Sequence, residues 1–157
     1  MVKLRRLRRE DLPRLRQFWI EHWAGESMIA HRETFEPGQV QGFVASDWIG
    51  LVTYIIRGTD CEIVSLDSLT AGKGIGTALV EAVAAEARRH GCGRVVATTT
   101  NDNLRALGFY QKRGFSIALI RRGAIDESRL LKPSIPRLGE GGIPLHDEIE
   151  LELPLRS

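Results

Sequence analysis

The amino-acid sequence predicts an α/β domain with a mixed β-sheet, and three observations lead there. Residues 62–66 and 94–99 are β-rich runs separated by one amphipathic stretch, 74–90, in which Ile75, Leu79, Val83 and Ala87 recur at every fourth position. A β-α-β unit of this kind closes with parallel strands and a right-handed crossover. Near the other end, Ile149, Leu151 and Leu153 alternate with Glu148, Glu150 and Glu152, the pattern of a strand with one face in the core and one in water. Finally, 157 residues of which 43% are hydrophobic suffice for one sizeable core and are too few for two ordinary domains, so residues 1–157 are read as one domain.

The remaining elements follow in chain order. Residues 4–7 begin a strand, and Asp11 with Pro13 provides the cap and first-turn proline of a helix through Leu15, Phe18, Trp19 and Trp23. A looser segment follows. Residues 40–45 and 48–56 are β-rich and separated only by Ser46-Asp47, which predicts a tight hairpin. Gly91 stands where the helix over 74–90 should terminate, and Gly114 closes a second helix over 103–113. A strand is expected over 115–124. The stretch 132–144 is too punctuated by Pro133, Pro136, Gly139, Gly141, Gly142 and Pro144 for regular structure, and loops of this length are functional or disordered.

A charged fraction of 27% with a net charge of +2 gives no electrostatic reason to expect nucleic acid, so small-molecule chemistry is the default. The charge is uneven: Lys3, Arg5, Arg6, Arg8, Arg9, Arg14 and Arg16 crowd one end and Asp147, Glu148, Glu150 and Glu152 the other, so the ends are expected to attract. Leu4 and Leu7 lack the spacing of an import helix, and no apolar run approaches the ~18 residues of a membrane span. A cytoplasmic protein without a membrane partner is expected. Cys61 and Cys92 lie in no CxxC and near no histidine at ligand spacing, so they read as reduced thiols with no metal.

The chemistry-bearing segment is Ala71-Gly72-Lys73-Gly74-Ile75-Gly76-Thr77, between a strand and the strongest helix. Free amides and the dipole of a helix N-terminus favour an anion there, and Gly74 and Gly76 remove Cβ atoms that would hold a phosphate away. The segment is neither a P-loop, because no glycine stands five positions before Gly72, nor a GxGxxG fingerprint, because Thr77 and Leu79 occupy the third glycine's place.

It does resemble the pyrophosphate loop of the GNAT N-acetyltransferases, commonly Gln or Arg, two residues, Gly, one residue, then Gly or Ala; Ala71 departs at the first position. A second block, Asn103-Leu104-Arg105-Ala106-Leu107-Gly108-Phe109-Tyr110-Gln111-Lys112-Arg113-Gly114-Phe115, is similar to the family's Asn-x-x-Ala-x-x-Phe-Tyr-x-x-x-Gly-Phe. The resemblance covers residues 4–115, and the tail resembles that of a bacterial subgroup of uncharacterised acceptor. It implies about seven strands with flanking helices, and a sheet splayed between the strands at 62–66 and 94–99 where the pantetheine arm of acetyl-CoA enters. Gly72, Lys73, Gly74, Ile75, Gly76 and Thr77 then cradle the pyrophosphate, and Val64, Ser65 and Leu66 become backbone ligands, with the amide near Leu66 facing the developing oxyanion. Asn103 orders the cofactor side of its helix as a cap or as a ligand.

By the same resemblance Tyr110 is the general acid toward the departing thiolate. Asp60 and Glu62 share one strand face by their spacing, and Glu62 is the candidate base. The segment 23–31 should lie over the acceptor mouth, with His31 near the substrate. The implied activity is acetyl transfer to a primary amine on a small molecule or peptide, with a homodimer allowed. A non-catalytic acyl-CoA sensor is the rival reading, and the presence of Tyr110 argues against it.

Overall fold

The computed structural model describes residues 2–156; Met1 and Ser157 lie outside the described residues. Nine strands and four α-helices follow in the order β1 (Leu4–Arg6), α1 (Leu12–Trp23), β2 (Met28–Ala30), β3 (Glu33–Phe35), β4 (Gln41–Ala45), β5 (Gly50–Arg57), β6 (Asp60–Ser68), α2 (Ile75–Arg89), β7 (Arg94–Thr100), α3 (Leu104–Lys112), β8 (Ser116–Arg121), α4 (Ala124–Leu131) and β9 (Glu148–Pro154). Seven strands form one mixed sheet in the order β1-β4-β5-β6-β7-β9-β8, and β2 and β3 form a separate hairpin. As the sequence predicts, β6 and β7 are parallel; the other neighbours are antiparallel.

Two apolar clusters cover the two faces of the sheet. On one, Leu79, Val83 and Ala87 of α2 pack against Val52, Tyr54, Cys61, Val95 and Ala97. On the other, Leu15, Phe18 and Trp19 of α1 pack against Val44, Leu51, Met28 and Phe35. Cys61 and Cys92 are buried and unpaired, and burial pushes the Cys61 thiol up to about 12, so it stays protonated and inert.

Four sequence expectations change. The Ser46-Asp47 turn is a longer 3-10 connection, Ser46–Trp48, with Asp47 and Trp48 at positive φ. The looser segment after α1 contains the β2–β3 hairpin. The strand expected over 115–124 ends at Arg121, and after the left-handed Gly123 (φ 73°) the chain turns into α4, whose eight residues are too few to show a helical repeat. Two of the three glutamates of β9 do not face water: Glu148 is 2% exposed and Glu150 7%, while Glu152 is half-buried. The β2–β3 hairpin and the neighbouring strand β8 supply partners on that face. The His31 amide donates to both Glu148 oxygens (3.0 and 3.1 Å), and Arg121 pairs with Glu150 at 2.5 Å. The two chain ends do not pair with each other: Arg5 bonds Asp11, Arg6 bonds Glu86, and Arg94 bonds Asp60 and Glu152.

The stretch 132–146 is an ordered strap. Arg129 of α4 donates to the carbonyls of Ile135, Pro136 and Leu145. The Asn101 side chain accepts from the amides of His146 and Asp147 and donates to the Pro144 carbonyl. No helix of the described residues is long and apolar enough to cross a membrane.

Candidate active site

The site begins where the sheet opens. β6 and β7 pair only from Asp60↔Arg94 to Ile63↔Ala97, yet β6 continues to Ser68 and β7 to Thr100. The cause is a bulge. Thr53 of β5 faces Ser65 and Tyr54 faces Ile63, so Val64 is the extra residue and bends β6 away from β7. The bulge is pinned by a buried hydroxyl chain in which Trp19 Nε1 donates to Ser65 Oγ (3.2 Å), itself 2.6 Å from Thr53 Oγ1. From Val64 to Ser68, β6 keeps β5 on one edge and has no ladder partner on the other, so its backbone groups there can bond an extended amide-bearing arm.

The glycine loop ends at the same opening. Gly72 (φ 75°) and Gly74 (φ 71°) are left-handed, a conformation that excludes most side chains, and no other atom lies near their missing Cβ positions. The ladder of α2 starts with Ala78 N donating to Gly74 O at 3.0 Å, which leaves the amides of Ile75, Gly76 and Thr77 outside it and without a side-chain cap. Gly76 has a different neighbour from the one expected: a Cβ there would lie 3.1 Å from the Phe109 ring, so this glycine also lets α3 approach α2. Thr77 Oγ1 accepts from Arg113 Nε (2.8 Å), whose guanidinium stacks on Phe109.

Asn103 is the N-cap of α3, its side chain accepting from Ala106 N at 3.0 Å. Two turns on, Tyr110 is 6% exposed, and burial first, then the charge of Asp67, holds its phenol protonated well above the ordinary range. Leu66, Asp67, Ser68, Gly76, Asn103, Phe109 and Tyr110 line an open cleft of about 330 Å³, together with Trp23 of α1 and Glu140 of the strap.

Glu62 lies elsewhere on β6, outside the lining of that cleft. Its Oε2 is 2.6 Å from His31 Nε2, and this bond raises the His31 pKa against the opposing effect of burial. His31 is therefore a half-buried partner of Glu62 and, through its backbone, of Glu148. The 23–31 segment does border the cleft, because Trp23 lines it. Lys132 Nζ fastens this segment to α4 by donating to the carbonyls of Trp23 (2.9 Å) and Ser27 (3.2 Å).

Asp67 and Glu140 carry no signal of a site in the sequence, and Trp23 enters it only as the first residue of the segment expected over the acceptor mouth. Trp23 Nε1 donates to both Asp67 oxygens at 3.0 Å, and burial raises the Asp67 carboxyl to about 6, with the indole bond opposing. No spacing rule signals a pair forty-four positions apart; only the packing of α1 over the bulge brings it together.

A parallel pair splayed at a bulge, with a glycine-capped helix at the opening, defines the acyl-CoA N-acyltransferase class of fold. The family model Acetyltransferase (GNAT) family matches residues 3–115, and the chain belongs to that family. The uncharacterized protein YdhI of Bacillus subtilis (strain 168) is 43% identical over 139 residues, 86% of this chain and 87% of YdhI. YxbD of the same strain is 37% identical over 138 residues, covering 85% and 87%. Among solved structures, a Bacillus subtilis acetyltransferase in complex with CoA superposes with a TM-score of 0.71 at 19% identity, over 99% of this chain and 100% of that one. A GNAT acetyltransferase from Elizabethkingia anophelis with acetyl-CoA bound gives 0.67 at 21% identity, over 98% of each chain.

Proposed function

We propose that this protein transfers the acetyl group of acetyl-CoA to a primary amine of a small molecule or peptide. The observation that carries the reading is the unpaired edge of β6 from Val64 to Ser68, running from the free amides of α2 to the protonated Tyr110. Gly72, Lys73, Gly74, Ile75, Gly76 and Thr77 hold the pyrophosphate by backbone amides at a helix N-terminus, and Val64, Ser65 and Leu66 hold the pantetheine amides as a strand would. Acetyl-CoA supplies an activated thioester.

The chain supplies three things to it. A backbone amide of the bulged strand near Leu66 donates to the oxyanion that develops at the acyl carbon. The Tyr110 phenol, kept neutral by burial, gives its proton to the departing sulfur, which is a stronger acid than phenol in water and needs the proton only as the C–S bond breaks. A carboxylate of β6, where the sequence singles out Glu62, takes the proton of the amine. Holding both reactants in one cleft contributes several orders of magnitude by itself.

Calorimetry with acetyl-CoA followed by free-thiol release with a panel of primary amines tests the reading. Micromolar binding with amine-dependent thiol release is expected. Binding without release from any amine would make the protein an acyl-CoA sensor, and no binding would end both readings.

A further inference from the structure

We propose that Asp67, oriented by Trp23, is the catalytic residue that accepts the amine's proton, and that Glu62 instead positions the β2–β3 hairpin. This rests on the N-acetyl transfer reading. Asp67 is a β6 carboxylate in the wall of the cleft, one residue beyond the Leu66 amide and in the same cavity as the Tyr110 phenol. Glu62 is outside that wall, with its carboxylate engaged by His31 and with Arg57 3.8 Å away. Both oxygens of Asp67 share a single donor, the Trp23 indole, so each keeps acceptor capacity for an ammonium entering the mouth.

The neighbours of Asp67 divide its chemistry from that of Tyr110. Burial keeps the phenol protonated and raises the carboxyl to about 6, so near neutral pH one group holds a proton and the other can take one. His22 of α1 favours the charged carboxylate, while Arg105 and Tyr110 of α3 and Glu140 of the strap line the same cleft. In the step, the ammonium gives one proton to Asp67 and the neutral nitrogen attacks the acyl carbon. As the C–S bond breaks, the sulfur takes the Tyr110 proton and the amide nitrogen loses its second proton to the phenolate. Asp67 then releases its proton to water, which balances the reaction of an ammonium and a thioester to an amide, a thiol and one solvent proton. Trp23 is a positioning residue: its indole fixes the carboxylate and opposes the effect of burial.

Two measurements test this on the intact protein. The Trp23 indole N–H resonance, followed by NMR from about pH 5 to about pH 8, should titrate with a midpoint at about 6 and lose that titration in Asp67→Asn, whose side-chain oxygen still accepts the indole bond. With saturating benzylamine and acetyl-CoA, turnover of the parent should fall as pH drops through that midpoint. Asp67→Asn should lose this acid limb and at least about 100-fold in turnover, with acetyl-CoA affinity within about twofold. Trp23→Phe should move the limb to higher pH, and Glu62→Gln should leave it in place. A limb that persists in Asp67→Asn, or disappears with Glu62, overturns the assignment. If the parent releases no thiol with benzylamine, that counts against acetylation of a simple primary amine, and the indole titration alone decides for or against Asp67.

Discussion

Gly139→Ala probes whether the strap is a built part of the domain. A Cβ on Gly139 would lie 2.0 Å from Asp102 Oδ2, 2.5 Å from its Cγ and 2.7 Å from its Cβ. The φ of −96° suits alanine, so the cost is contact and not backbone strain. Asp102 cannot yield freely, being 7% exposed and fixed by Thr100 Oγ1 on one oxygen and by the Glu140 amide (2.9 Å) on the other. Moving it breaks two bonds to a buried carboxylate, each about 1.5–3 kcal/mol, part of which water restores, so a loss of about 2–4 kcal/mol is expected. For a domain of this size that lowers the melting temperature by about 5–15 °C in a calorimetric scan. Asp102→Ala removes the two nearest atoms, Oδ2 and Cγ, and leaves only its Cβ at 2.7 Å, so the double variant should be more stable than the sum of the single changes by about 1–3 kcal/mol. A melting temperature within about 1 °C of the parent for Gly139→Ala would refute the tight packing of the strap on Asp102.

Three further outcomes are expected. Tyr110→Phe keeps the buried ring and removes the proton donor, so turnover should fall about 100-fold with acetyl-CoA affinity nearly unchanged; equal turnover would leave water as the proton source. Asn103→Ala removes the α3 cap and should cost about 1 kcal/mol of stability; an accompanying loss of cofactor affinity would show a second bond from the same side chain. The Arg5 guanidinium, bonded to Asp11 at 2.8 and 3.0 Å, holds that carboxyl below its ordinary value of 3.8. Its contribution is therefore complete above about pH 4 and lost as pH falls through the lowered folded value, and denaturant melts of Asp11→Asn should show a shallower acid dependence than the parent.

The sequence by itself determined the elements whose signal is local. Ile75, Leu79, Val83 and Ala87 mark α2 because one helical stripe meets one core, and Gly74 and Gly76 mark the glycine loop that opens it because a Cβ there would hold an anion away. The same holds for the parallel pairing of β6 with β7, which a β-α-β crossover dictates, while Asn103, open in the sequence between cap and ligand, is seen in the structure as a cap. What only the tertiary structure decided depends on partners distant in the chain. Alternation in β9 places Glu148 and Glu150 on one face, but whether that face meets water depends on the hairpin and on β8, which bring the His31 amide and Arg121 to the two carboxylates. The bulge at Val64 depends on how Thr53, Ser65 and Trp19 pack, and with it the opening of the sheet at which the site is built. Trp23 reads in the sequence as a helix-end aromatic, and Asp67 lies just past the strand read over 62–66; the end of α1 folding over the bulge makes them a bonded pair, because burial and hydrogen-bond partners belong to the assembled layers and not to the spacing of residues along the chain.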